Sequence, residues 1–136
     1  MVDTVSIALS GLMAQGQRLA VAANNIANIN TSGVLPTAAA PSSTVYKPLS
    51  VSQVALMVGN QGGGVTTVVT EDPNGYSPAY DPQNIYANSD GLIAVPNIDL
   101  AKEITDMMQA RLLYKASISV LKTQNEMLGQ LINSIT

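Results

Sequence analysis

Between Asn24 and Asn30 the chain carries four asparagines, at the end of an apolar-periodic segment that starts near Thr4 and stops at Asn30-Thr31-Ser32-Gly33. The pattern predicts a helix over 4–29, with Asp3 or Thr4 as N-cap and the Asn-Thr-Ser-Gly cluster as terminator. Wound at about 100° per residue, Val5, Ala8, Leu12, Gly16, Leu19, Ala23 and Ile26 fall on one narrow stripe. Its small residues permit close approach of a partner helix, and its spacing near seven suggests coiled-coil-like packing. Opposite lie Ser6, Ser10, Gln17, Asn24 and Asn28, with Val21 among them, and Arg18 is the helix's one charged residue. An ordinary surface helix carries Lys and Glu on its outer face. An amide and hydroxyl face suits contact with protein, supplied either by the rest of the same chain or by neighbouring chains.

The rest of the composition agrees with a chain short of water-facing surface. Only 11% of its 136 residues are charged, against about 25% in typical soluble domains. Aromatics supply 4%, all of them Tyr, so Leu, Ile, Val, Met and Ala must do the packing. The length is that of about one domain. A net charge of −3 with six Lys and Arg provides no basic field for nucleic acid or anionic membrane. With no cysteine there is neither disulfide nor thiolate chemistry. The N-terminus lacks the basic n-region and continuous apolar h-region of a secretory signal, so export would need another route. Asparagines and Pro36 and Pro41 interrupt the uncharged stretch 19–46, so no membrane-inserted helix is expected.

From 34 to 96 the texture changes to Gly, Pro, Ser, Thr and Val. Residues 44–58 and 65–70 are β-compatible and flank the glycine-rich stretch 59–64, which predicts a hairpin. Residues 35–43 read as a connector, 72–75 and 89–91 as turns, and 92–95 as a short strand. From Ile98 to about Ser134 a second helix is predicted, with Asn97 as N-cap and Asp99, Glu103 and Asp106 near its positive end. Its length implies an elongated subunit. Ile104, Met107, Tyr114, Ile118, Leu121, Leu128, Ile132 and Ile135 take a and d positions of one heptad frame, with Arg111 and Asn125 at the remaining a positions. Asn125 either fixes register with a partner or is a solvated break. The expected fold is therefore mainly α with a small β-containing middle, the long terminal helices packing as a coiled-coil-like hairpin. Its parts are an N-terminal helix (1–33), a loop-rich middle (34–96) and a C-terminal helix (97–136).

Catalysis finds little support. Without His or Cys, acid–base work would fall to carboxylates, Lys or Tyr. Asp99, Glu103 and Asp106, at i, i+4 and i+7, could bind a hard cation, but such acids more often complement the helix dipole. Asn88-Ser89-Asp90-Gly91 is like the centre of an EF-hand loop, yet Tyr86 and Asn97 stand where ligands should be. Gly62-Gly63-Gly64 has no following Lys-Ser/Thr for a phosphate loop. We expect no enzyme activity, no metal and no cofactor; what remains is association.

The run Leu19-Ala20-Val21-Ala22-Ala23-Asn24-Asn25-Ile26-Ala27-Asn28-Ile29-Asn30-Thr31 resembles the N-terminal signature of the axial rod and hook proteins of the bacterial flagellum. Tyr80-Asp81-Pro82, Ala87-Asn88-Ser89-Asp90-Gly91 and Pro96-Asn97-Ile98-Asp99 resemble the small proximal-rod family FlgC, as do Met108, Ala110, Arg111, Tyr114, Ala116, Ile118, Val120, Leu121 and Met127. Residues 34–46 and 50–67 depart from the family pattern. The resemblance implies a structural subunit of the periplasmic basal-body rod, exported by the flagellar type III apparatus without a cleaved signal. Such a subunit would assemble with copies of itself and other axial proteins into a helical tube that transmits torque and forms part of the export channel. The alternative is a helical adaptor of another secretion or envelope machine. The residues expected at the assembly interface are Val5, Leu12, Leu19, Ala23, Asn24, Ile26, Asn28, Ile104, Tyr114, Ile118, Leu121, Asn125, Leu128 and Ile132.

Overall fold

The computed structural model describes residues 4–37, 43–59 and 61–135. Its element order is α1 (Thr4–Asn28), β1 (Leu49–Val58), β2 (Gln61–Glu71), β3 (Tyr76–Tyr80), β4 (Leu92–Pro96) and α2 (Leu100–Ile135). Two long terminal helices thus flank a small β region, as the sequence predicts. Asp3 and the centre of the 35–43 connector lie outside the described residues.

Contacts divide the chain into two compact units, one of Met1–Ala20, Val51–Val68 and Thr105–Thr136, the other of Val21–Ser50 and Val69–Ile104. In the first, α1 and α2 run antiparallel, because Arg18 reaches Asp106 and Gln109 while Gly11 lies against Ser117. A Cβ added to Gly11 would sit 3.6 Å from Ser117 Oγ, and one on Gly16 4.0 Å from the Tyr114 ring. Small residues let the backbones approach, as the stripe implied. Ala14, Gln15 and Ala110 are buried.

The face that α2 turns inward is offset from the predicted heptad frame. Tyr114 and Leu121, at d positions, are half-buried, but Arg111, Ile118 and Asn125, at a positions, are exposed. The residues just before them, Ala110, Ser117 and Gln124, take the inward place. The physical reason is size: Ala110 and Ser117 fit against the small face of α1, where an Ile would hold the helices apart.

β1 and β2 pair as a two-stranded sheet. Only residues 59 and 60 separate them, too few for a parallel crossover, so the hairpin is antiparallel. Its turn is tighter than the six-residue turn predicted, and Gly59 adopts φ 62°, the left-handed region that two-residue hairpin turns demand. The hairpin meets α1 where Val65 N–H donates to Ser10 Oγ at 3.1 Å.

In the second unit β3 and β4 pair antiparallel, Tyr76 opposite Pro96 and Tyr80 opposite Leu92. β4 was predicted; β3 was not, since Pro78 interrupts it. A proline is tolerated on an edge strand, where no ladder N–H is required. On β4's other side Gly33 makes a bridge to Ala94, with Gly33 N–H donating to Ala94 O at 3.0 Å and Ala94 N–H to Gly33 O at 2.9 Å. Ile93, Ala94 and Val45 are core, with Val21 and Ala22 of α1. The turns at 72–75 and 88–91 close through Gly75 N–H to Asp72 O and Gly91 N–H to Asn88 O.

Candidate assembly surface and the buried asparagine

In the second unit α1 presents Val21, Ala22 and Asn25 to the core at helical spacing, and Asn25 is 1% exposed. A buried amide has four hydrogen-bonding positions to satisfy. Asn25 fills all of them. Its Nδ2 donates to Leu49 O at 2.8 Å and to Glu103 Oε1 at 3.1 Å; its Oδ1 accepts from Leu49 N at 2.9 Å and from Tyr46 Oη at 2.9 Å. One side chain thereby ties the end of α1 to the start of β1, to the segment before it and to the first turn of α2. Paired donor and acceptor contacts to both backbone groups of Leu49 fix where β1 begins.

Glu103 is buried beside this amide. The Tyr46 hydroxyl is pushed above its ordinary value, first by burial and then by the nearby Glu103 carboxylate. The folded state therefore holds Tyr46 neutral at a pH where the unfolded chain ionises it. That contribution is complete below about pH 10, the unfolded value, and is lost as pH rises through the folded value. We expect the unfolding midpoint to fall as pH rises past about 10, and the fall to be shallower in Tyr46→Phe, as followed by circular dichroism.

The three acids grouped by sequence have separate tasks. Asp99, not Asn97, caps α2: its Oδ1 accepts from Ala101 N–H at 2.9 Å and Lys102 N–H at 3.2 Å. Asn97 N–H instead bonds Gly75 O at 2.9 Å, which commits that residue to the β3–β4 end. Glu103 belongs to the Asn25 cluster, and Asp106 lies 3.7 Å from Arg18. Among the described residues no group of three or more His, Cys, Asp or Glu is placed to hold a metal ion. Asn88 Oδ1 accepts from Asp90 N–H and Leu92 N–H, so the EF-hand-like run is a self-bonded turn.

The residues expected at an assembly interface are scattered in burial. Val5, Leu12, Leu19, Ile26 and Asn28 are half-buried on α1, while Ala23 and Asn24 are exposed. Asn28 Nδ2 donates to Asn24 O, one turn back on its own helix. On α2, Tyr114 and Leu121 are half-buried, and Ile104, Ile118, Asn125, Leu128 and Ile132 are exposed. The residue that sequence reasoning missed is Asn25. Its signal was the spacing from Val21 and Ala22, a second helical face hidden beside the more obvious apolar stripe.

Exposed apolar side chains continue along α2, through Met127, Leu128, Leu131, Ile132 and finally Ile135 at 83% exposure. Among the described residues no helix is long and apolar enough to cross a membrane. Such a face, on a helix of 36 residues whose last charged residue is Glu126, is suited to protein contact.

Residues 6–33 match the family described as Flagella basal body rod protein, and residues 89–134 match the Flagellar basal body rod FlgEFG protein C-terminal family. The first match ends at Gly33 and the second takes in the approach to α2, so both units contribute to each. Similar curated proteins include the flagellar basal-body rod protein FlgC of Salmonella typhimurium, 33% identical over 130 residues, covering 94% of this chain and 92% of that protein. The FlgC of Yersinia enterocolitica is 31% identical with the same coverage, and that of Bacillus subtilis 28% identical over 142 residues, covering 92% and 91%.

Proposed function

We propose, because this chain belongs to the FlgC family of flagellar basal-body rod proteins, that it is a structural subunit of that rod and meets its neighbours through α1 and α2. The observation that carries this reading is the run of exposed apolar side chains along α2, in a chain matched to FlgC proteins over nearly its whole length. Burying such a face against other subunits removes apolar surface from water at about 25 cal/mol per Å². The role is structural rather than catalytic, and it serves motility.

The terminal helices pack the subunit into a helical tube that transmits torque and encloses part of the export path. Delivery is through the flagellar type III apparatus without cleavage of a signal, and the assembled position is periplasmic. The partners are further copies of this chain and other rod proteins. A tube of this kind is built from heterologous contacts, in which each subunit offers two different surfaces.

A cell carrying an epitope-tagged chain tests the assignment. Purified basal bodies are expected to retain the tag after washing in high salt, in constant ratio to the ring proteins. A tag that stays wholly in the soluble fraction of swimming cells refutes it and favours an adaptor elsewhere in the envelope.

A further inference from the structure

Of the chain's asparagines, only Asn74 is followed by a glycine. An Asn-Gly step is the one most open to attack by the main chain on the asparagine side chain, because glycine has no Cβ to shield its amide nitrogen and its backbone turns freely. Packing requires the glycine. A Cβ at position 75 would stand 2.6 Å from Pro48 Cδ, 2.9 Å from Asp72 O and 3.4 Å from Lys47 Cα, and the last two atoms are backbone. The second unit therefore imposes a reactive pair on one of its turns, with Asn74 itself exposed to water.

The same turn withholds the reaction. Gly75 is buried, its N–H donates to Asp72 O at 3.1 Å, and its carbonyl accepts from Asn97 N–H at 2.9 Å. Asn74 N–H donates to Asp72 Oδ1 at 2.9 Å and Asp72 N–H to Pro48 O at 2.9 Å, while the Pro73 ring fixes one φ angle of the turn. Both main-chain groups of Gly75 are committed. Its peptide plane cannot swing against the Asn74 side chain, nor its nitrogen give up a proton, without breaking these bonds.

We infer that Asn74 is a deamidation site held in check by the folded turn, and that its conversion records opening of the β3–β4 end of the second unit. Once Asp72 O and Asn97 N–H are released, the Gly75 nitrogen loses its proton to hydroxide and attacks Asn74 Cγ. The N–Cγ bond forms, the Cγ–Nδ2 bond breaks, and Nδ2 leaves as ammonia with a proton taken from water. A second water then opens the cyclic imide at either carbonyl, leaving aspartate or isoaspartate. Isoaspartate adds a methylene to the main chain between 74 and 75, where the turn must reach both Asp72 and Asn97. A chain converted while open therefore cannot re-form those bonds in register. This chemistry goes beyond the rod assignment and does not depend on it.

The full chain, purified and incubated at mildly alkaline pH, tests the inference by peptide mass spectrometry, which locates each exchange of NH₂ for OH. In denaturant Asn74 is expected to convert before any other asparagine. In the folded chain its conversion is expected to be at least about tenfold slower, since it proceeds only from the small open population. Pro73→Ala frees the turn but keeps Asn74 and Gly75, and is expected to raise the folded-state rate about two- to fivefold, with an unchanged circular dichroism spectrum. The wild-type comparison stands whether or not that variant folds. Equal rates at Asn74 in the folded and denatured chain overturn the inference, and so does earlier conversion of another asparagine in denaturant.

Discussion

Asn25→Asp lowers the unfolding free energy by about 3–5 kcal/mol, the range found when a buried charge loses its compensation, and abolishes swimming. The substitution keeps the size of the side chain and changes one NH₂ to an oxygen. Asn25 is 1% exposed, so water cannot replace what is lost. Leu49 O and Glu103 Oε1 lose their donor, and the new carboxylate faces the Glu103 carboxylate across the former 3.1 Å hydrogen bond. Each buried group left unsatisfied costs about 1–3 kcal/mol, and like charges at that distance add to it. Against a typical domain stability of about 5–15 kcal/mol, the loss leaves little margin. Urea unfolding of the purified chain measures it, with Asn24→Asp on the exposed neighbouring position as control. The control is expected within about 0.5 kcal/mol of the wild type, as surface substitutions usually are. A shift at position 25 no larger than at position 24 would remove the Asn25 cluster from any account of this fold.

Gly33→Ala is the second substitution expected to have a large effect. A Cβ there would stand 2.5 Å from Val45 N, 2.8 Å from Thr44 Oγ1 and 2.9 Å from Thr44 C. Two of those atoms are backbone, so no rotamer change relieves the overlap. The cost is at or above the top of the ~1–3 kcal/mol range for overpacking. Relief would require parting the 33–94 bridge, and Ala94 lies in the core with no exposed surface. Thermal melting compares Gly33→Ala with Gly62→Ala, where an added Cβ meets nothing within 4 Å. The first should lower the midpoint by about 8 °C or more, taking 2–4 °C per kcal/mol as a floor for a chain of this size. The second should leave it nearly unchanged.

Asn25 lies in the asparagine-rich end of α1 and Gly33 five residues beyond it, and that stretch shows where sequence reasoning reaches its limit. Periodicity and the Asn-Thr-Ser-Gly cluster were enough to place α1 and its end within a residue, because those signals are local. Asn24, Asn25 and Asn28 are chemically identical, and the wheel drew attention to Asn24 and Asn28 because they oppose the apolar stripe. Asn25 is set apart by Leu49 and Glu103, partners 24 and 78 residues away, which no local pattern contains. The heptad frame of α2 met the same limit. Hydrophobicity favoured Ile118 as the inward residue, whereas close approach to Gly11 selects Ser117. β3 was lost to Pro78, which argues against a central strand but permits an edge one.

Division of labour follows from these positions. In the second unit the Asn25 cluster and the bridge at Gly33 hold the fold together. In the first, Leu128, Leu131, Ile132 and Ile135 at the end of α2 stay exposed. Asn24 and Asn28 belong with the surface rather than with the core, so their replacement should leave folding intact and act, if at all, on assembly.

Electron microscopy of basal bodies from a strain lacking this chain puts the rod assignment to its most direct test. Membrane rings without a continuous rod, no hook and no swimming are expected, all restored by the wild-type chain and not by Asn25→Asp. Complete rods and hooks in the deletion strain would contradict it.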